Sequence, residues 1–141
     1  MNKILFPTDL SIKSESIEDY LVSHKNGTNE VVVMNVIDQR MIDAVAVYDK
    51  KNEFVSSVRK DRQAEIEEKI VPKLKEVGYK VKIIIKEGFP YKEILNTAEV
   101  ETVDMIIMNS HGKGHHQGHL IGSVSEKVVR HSKKPVFVFK E

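Results

Sequence analysis

Residues 105–128 read MIIMNSHGKGHHQGHLIGSVSEKV, an apolar run followed by a glycine-rich loop and then by a segment with helical spacing. The run from Met105 to Met108 is short and continuously apolar, as is typical of a strand covered on both faces. Beyond the loop, Ile121, Val124 and Val128 recur on one helical face. A strand, a polar loop and an amphipathic helix in this order indicate one unit of a parallel α/β sheet.

The same unit recurs along the chain. Four further short runs rich in β-branched residues are predicted as strands, at residues 3–6, 31–37, 81–86 and 136–139. Helical stripes lie between them, formed by Ile17, Tyr20, Leu21 and His24, by Ile66, Ile70, Leu74 and Val77, and by Tyr91, Ile94, Leu95 and Ala98. The alternation predicts an open, doubly wound, Rossmann-like sheet of five parallel strands in the order 3-2-1-4-5, with helices on both faces. Residues 1–141 are expected to form a single domain.

Two places interrupt this regular pattern. Pro72 lies inside the second predicted helix, where a proline removes a backbone hydrogen bond, so we predict a kink or break near Ile70. Residues 38–53 contain apolar side chains with no clear period. A loop, a lid over a cleft and part of a dimer contact all stay open for this segment.

The composition excludes several classes of protein. The 141 residues are 40% hydrophobic and 30% charged, and the formal net charge of +1 gives no electrostatic reason to propose nucleic acid or a membrane surface as a partner. No cysteine is present, which excludes disulfides, thiol catalysis and cysteine-bound zinc. The first apolar run stops at Pro7 and is too short for a signal peptide or a membrane span, so we expect a cytoplasmic protein.

The loop after the fourth strand is the richest candidate for a binding site, because ligands of open α/β sheets bind beyond the carboxyl ends of the strands. Glycines that let the backbone approach a ligand recur along it, at Gly112, Gly114, Gly118 and Gly122. The helix that follows offers free N–H groups and a positive dipole end, to which the hydroxyls of Ser123 and Ser125 can add donors for phosphate. The alternative is that Ser123 only caps the helix and the glycines only turn the loop.

Two familiar nucleotide motifs are absent. A P-loop requires Ser or Thr after its Gly-Lys pair, whereas Gly112 and Lys113 are followed by Gly114. A dinucleotide fingerprint requires a glycine-rich turn after the first strand, where this chain has Pro7, Thr8 and Asp9. A phosphate at this site must therefore be bound by a different loop.

Along its whole length the sequence resembles the ATP-binding subgroup of the universal stress protein family. The resemblance is carried by residues 4–9 (ILFPTD), 35–38 (NVID), 88–90 (GFP) and the final block 108–138. The nucleotide motif of that family, G-x2-G-x9-G-[ST], matches Gly112, nine intervening residues, and then Gly122 and Ser123. Asn109 replaces the first glycine of the motif, and asparagine is the residue that best tolerates a glycine-like turn.

The resemblance implies a role for each matching residue. Asp9 and the backbone of Pro7 and Thr8 would meet the adenine and ribose, and Val36 would hold the base through its backbone. Met108, Asn109, His111 and Gly112 would line the ribose and phosphates, and Gly122, Ser123, Val124 and Ser125 would bind the phosphate tail. The implied ligand is ATP, or ADP or AMP, with Mg²⁺ held through the phosphates. The resemblance also implies a homodimer paired through the last strands at residues 136–139.

Four histidines crowd the loop, His111, His115, His116 and His119. A metal site and a polar loop over the nucleotide are the two interpretations. No Asp or Glu between Asp104 and Glu126 completes a ligand set, so we predict no metal bound by protein side chains.

The sequence contains no dedicated catalytic apparatus, and only His111 or Asp9 is a candidate base. We therefore predict an adenine-nucleotide-binding protein with a regulatory or stress-response role. A nucleotide-free dimeric interaction module and a slow ATP hydrolase are the alternatives. Asp9, taken without the resemblance, is equally well explained as a turn residue or helix cap.

Overall fold

Five parallel strands form one sheet in the computed structural model, which describes residues 2–11, 14–27, 29–48, 50–111 and 121–140. The strands are β1 (Lys3–Pro7), β2 (Glu30–Asp38), β3 (Lys80–Gly88), β4 (Met105–Asn109) and β5 (Val136–Phe139). Their spatial order is β3-β2-β1-β4-β5, with all neighbours parallel. The predicted fold class and strand order are confirmed.

Helices cover both faces of the sheet. They are α1 (Glu15–Ser23), α2 (Gln39–Ala46), α3 (Lys51–Lys69), α4 (Val71–Glu76), α5 (Pro90–Val100) and α6 (Ser123–His131). On one face, α1, α3 and α4 bury Ile17, Ile66 and Leu74 against Phe6 and Val33. On the other face, α5 and α6 bury their own apolar stripes against alternate residues of the same strands, in a cluster of Leu5, Met34, Ile94, Ile106 and Val128.

The strands differ in how completely they are covered. The three central residues of β1 and of β4 are buried, as is most of β2. The expectation of strands covered on both faces is wrong for β3 and β5, which are the two edges of the sheet. In β3 only Ile85 is buried, and Lys82 and Lys86 are exposed. Edge strands have a neighbour on one side only, so helices on either face cover them less.

Residues 39–46 are helical, so the loop interpretation of this part of residues 38–53 is wrong. Asp38 caps α2 by accepting a hydrogen bond from the Arg40 N–H at 2.9 Å. The side-chain hydrogen bond from Arg40 also lowers the pKa of Asp38 below its usual range. Ile42 is the only buried residue of this helix, packed with Ile37 and Val55. Because one buried position in eight residues defines no period, the sequence pattern could not predict this helix.

The break predicted near Ile70 is confirmed. Helix α3 ends at Lys69 and α4 begins at Val71, so Ile70 joins the two helices and is itself buried. Pro72 consequently lies in the first turn of α4. The N–H groups of a first turn have no acceptor within the helix, so the N–H that proline lacks costs no helical hydrogen bond.

Replacing Pro72 with alanine is expected to lower the free energy of unfolding by about 0.4–1 kcal/mol, because the proline restrains the unfolded chain at a position whose conformation it fits. Urea denaturation of the two proteins measures the difference. A proline that strained a continuous helix would give the opposite sign, a gain of about 3 kcal/mol on replacement.

No helix within the described ranges is both long and apolar enough to cross a membrane.

Candidate functional site

A crevice is expected beyond the carboxyl ends of β1 and β4, which are neighbours in the sheet. The chain leaves β1 toward α1 on one face and leaves β4 toward α6 on the other. Two connections that depart in opposite directions make the topological switch point at which α/β sheets bind ligands. This arrangement brings Pro7, Thr8 and Asp9 from one end of the sequence to the side of Asn109 and the start of α6.

The loop after β1 is held by two local side-chain turns. Thr8 Oγ1 accepts a hydrogen bond from the Leu10 N–H at 3.0 Å, and the Asp9 carboxylate accepts one from the Ser11 N–H at 2.9 Å. Between them Leu10 adopts a φ of 63°, which is uncommon for a branched residue. Asp9 therefore serves as a turn residue that shapes the loop, at the position where the resemblance would have it contact the ribose.

A buried polar network lies where β2 continues past the end of β1. Asn35, only 3% exposed, donates from Nδ2 to the Thr8 carbonyl at 2.8 Å. Arg62 Nη1 donates to Asn35 Oδ1 at 2.7 Å and to the Val36 carbonyl at 3.0 Å. Burial lowers the pKa of Arg62 below its ordinary value.

Arg62 is not among the site residues predicted from the sequence, although its position in the sequence carries a signal. Its position on α3, four residues before Ile66, continues the apolar stripe of Ile66 and Ile70, both of which are buried. When a charged side chain occupies a position at which the helical repeat of apolar residues would place an apolar one, it indicates a buried polar partner.

The backbone of Val36 faces the crevice. The Thr8 N–H donates to the Met34 carbonyl at 2.8 Å, so Met34 bonds toward β1. Backbone polar groups two residues apart point to the same side of a strand, so those of Val36 also point toward β1. The pairing of β1 with β2 ends at Pro7 and Met34, which leaves the Val36 N–H beyond the ladder.

The end of β4 is fastened to the start of α6. Ser125 Oγ donates to the Asn109 carbonyl at 2.6 Å, and the Gly122 N–H donates to the Ser110 carbonyl at 2.6 Å. Ser125 is 4% exposed, and its hydroxyl proton is committed to Asn109. The hydroxyl that was expected to donate to phosphate therefore joins strand to helix, and the donor that Ser125 can still offer a phosphate is its backbone N–H.

Replacing Ser125 with alanine is expected to lower the free energy of unfolding by about 1–3 kcal/mol, because the partly buried Asn109 carbonyl loses its donor. Chemical denaturation measures the loss. Ser123→Ala, at an exposed position of the same helix, is the matched control and should change stability by less than about 0.5 kcal/mol. Equal effects of the two substitutions would contradict the structural role of Ser125.

Gly122 is required by close packing rather than by backbone conformation. Its φ is −74°, which any residue can adopt. A Cβ at this position would lie 3.1 Å from the Ser110 carbonyl oxygen and 3.4 Å from His111 Cα. The glycine thus lets the start of α6 approach the end of β4 directly.

The first amides of α6 have no acceptor within the helix. Gly122 is the N-cap and supplies no side-chain cap, and the first helical hydrogen bond runs from the Glu126 N–H to the Gly122 carbonyl at 2.9 Å. The N–H groups of Ser123, Val124 and Ser125 precede that bond and have no acceptor within the helix. Such amides, together with the positive end of a helix dipole, favour the binding of an anion. The acid of the first turn, Glu126, is paired with Arg130.

Two buried side-chain atoms have no hydrogen-bond partner within the described residues. They are Ser11 Oγ, in the loop after β1, and Asn109 Oδ1, at the end of β4. Buried polar atoms are normally paired, and exceptions often mark the position of an absent water, ion or ligand. Asn109 itself ends β4 in extended conformation, so the glycine-like turn considered for it is not needed.

The histidine cluster is only partly described. His111 is half-buried, with Nδ1 3.1 Å from Ser110 Oγ. Gly112, His115, His116 and His119 lie outside the described residues. Among the residues the structure does describe, no group of three or more His, Asp or Glu side chains is placed to hold a metal ion.

Comparison with known proteins identifies the family to which the chain belongs. The profile of the universal stress protein family matches residues 1–140. The chain belongs to the universal stress protein family. It is 40% identical over 153 aligned positions to universal stress protein MJ0577 of Methanocaldococcus jannaschii, covering 98% of this chain and 94% of that protein. The solved structure of MJ0577 superposes with a TM-score of 0.89 over 99% of this chain and 96% of that one.

More distant universal stress proteins share the fold. One was solved in complex with cAMP (17% identity, TM-score 0.61, 99% and 96% of the two chains). Another, from Archaeoglobus fulgidus, was solved in complex with dAMP (15% identity, TM-score 0.65, 98% and 97% of the two chains). At these identities the likeness establishes the common fold.

Proposed function

We propose that this chain binds an adenine nucleotide, with ATP as the leading candidate, in the crevice between the carboxyl ends of β1 and β4. The observation that carries the proposal is the uncapped start of α6 at the switch point of the sheet. Three successive amides there lack helical acceptors, and Gly122 lets this helix start pack directly against the end of β4. A phosphate tail supplies the negative charge and the acceptors that such a helix start favours.

The base and ribose would lie toward β2 and β1. The Val36 N–H beyond the ladder is a donor for a ring nitrogen, and the loop of Thr8 and Asp9 flanks the same space. Asn109 Oδ1 and Ser11 Oγ are buried polar atoms that still require partners. Proteins of this fold have been solved with cAMP and with dAMP, which favours adenine among the bases.

The remaining parts of the proposal follow from the same site. Mg²⁺ would be held through the phosphates, since this ion usually binds through one or two carboxylates and the phosphates of its substrate. We further propose a single cytoplasmic domain with a regulatory or stress-response role, which forms a homodimer through β5. Among the described residues the outer edge of β5 has no partner strand, and Phe137 of this strand is partly exposed.

Mass spectrometry of the purified protein for bound nucleotide, followed by thermal unfolding with added ATP, tests the proposal. ATP at 100 times its dissociation constant should stabilise the fold by about 2.7 kcal/mol. Absence of bound nucleotide together with no shift by ATP, ADP or AMP would favour the interaction module. Release of ADP over hours by the loaded protein would identify the slow hydrolase.

A further inference from the structure

We propose that Arg62 is a positioning residue for the base end of the nucleotide, a role that rests on the adenine-nucleotide binding proposed above. Arg62 does not lie on any loop of the crevice. It acts through Asn35 and through the Val36 carbonyl, and these two groups set the backbone of the segments that would meet the base and ribose.

The guanidinium is held firmly where it acts. Helix α3 is anchored to the sheet after Arg62 by the buried residues Ile66 and Ile70, and before it by Val55. From this stripe Nη1 reaches Asn35 Oδ1 at 2.7 Å and the Val36 carbonyl at 3.0 Å. Both acceptors are neutral, and none of the ion pairs within the described residues involves Arg62. Structural charge pairing therefore does not account for this arginine.

Arginine also determines which way the Asn35 amide points. A guanidinium has only donors, so Asn35 must present its oxygen to Arg62. Its Nδ2 is then directed at the Thr8 carbonyl, to which it donates at 2.8 Å. The Thr8 carbonyl lies just past the last bridge of β1 with β2, and the Thr8 N–H makes the final backbone hydrogen bond between the two strands, to the Met34 carbonyl. The conformation of the loop that carries Asp9 thus depends on a relay from Arg62 through Asn35.

Arg59 provides a matched control on the same helix. It donates to the Ile85 carbonyl at 2.6 Å and pairs with Glu87 at 2.6 Å, both on the edge strand β3. Like Arg62, Arg59 donates to a backbone carbonyl of the sheet, but it also forms an ion pair, and the strand that it contacts does not border the crevice. The phosphate end of the site, at the start of α6, touches neither arginine.

Calorimetric titration of the full chain with adenosine, ATP and inorganic tripolyphosphate tests the inference in R62M, R62K, R59M and wild-type protein. We expect R62M to weaken adenosine and ATP binding by about tenfold or more. R59M should stay within about twofold of wild type. Tripolyphosphate affinity should be unchanged in every variant, and R62K should recover part of the adenosine affinity. N35D keeps an acceptor for Arg62 but loses the donor to Thr8, so its adenosine affinity should fall as that of R62M does. This variant replaces R62M in the test if R62M does not fold.

Three outcomes would overturn the inference. Adenosine affinity of R62M or N35D equal to that of R59M would show that the relay does not position the site. Equal weakening of adenosine and tripolyphosphate would show a general loosening of the fold. If the wild-type protein binds no adenine nucleotide, the proposed function is overturned and the inference with it. The wild-type titration alone identifies this outcome.

Discussion

Replacing Ser123 with glutamate is expected to weaken ATP binding by about 100-fold or more without loss of stability. Ser123 is exposed and is the first residue of α6, so its substitution disturbs no packing. A carboxylate in the first turn favours the helix dipole, by about 0.3–1 kcal/mol. It also places a negative charge where the phosphates are proposed to bind. Two like charges about 4 Å apart near a protein surface repel by about 4 kcal/mol, and a 100-fold loss corresponds to about 2.8 kcal/mol.

Titration calorimetry with ATP measures this effect, and Ser123→Gln is the matched control of the same size without the charge. The glutamine variant should lose less than about tenfold, and both variants should unfold at or above the wild-type temperature. Unchanged ATP affinity in Ser123→Glu would place the phosphates away from the start of α6.

Replacing Phe6 with alanine is expected to lower the free energy of unfolding by about 3–5 kcal/mol, the largest effect of a single substitution predicted for this chain. Phe6 is fully buried under α1 and α3, and it directly precedes the Pro7–Thr8–Asp9 loop. Truncation removes the transfer free energy of the ring and leaves a cavity that the neighbouring helices can fill only in part. Such a loss is a large fraction of the stability of a typical domain.

Urea denaturation measures this loss, with Phe89→Ala as the control, because Phe89 is 46% exposed at the start of α5. The control should cost less than about 1 kcal/mol. A loss below that value for Phe6→Ala would contradict the packing of β1 between two helical layers.

The fold was predictable because its signals are local. A buried parallel strand appears as a continuous apolar run, as at Met105–Met108, and Pro72 marks a helix boundary by its own chemistry. Helix α2 was not predictable, since Ile42 alone is buried and one position defines no period. The exposure of β3 and β5 also could not be predicted from their apolar runs, because an edge strand is defined by the absence of a neighbour.

The position of the proposed site follows from the predicted topology, whereas the contacts of its individual polar groups do not. The topology of the sheet brings Thr8 and Asp9 to the start of α6, as the resemblance implies. The roles of individual polar groups depend on partners distant in sequence, such as Ser125 and Asn109, 16 residues apart, or Arg62 and Asn35, 27 residues apart. No local pattern identifies the partners in such pairs, so the bond of the Ser125 hydroxyl to Asn109 was not predictable, and the position of Arg62 in an apolar stripe indicates burial without naming Asn35.

An NMR titration of ¹⁵N-labelled protein with ATP tests the central claim most directly, because it locates the ligand residue by residue. Binding in the crevice predicts saturable shifts of the amides of Ser123, Val124 and Ser125 and of Val36, on opposite sides of the crevice. It predicts no comparable shifts at the groove between α5 and the end of α6, which is lined by Asn96 and Lys133. Shifts confined to that groove, or none at millimolar ATP, would contradict it.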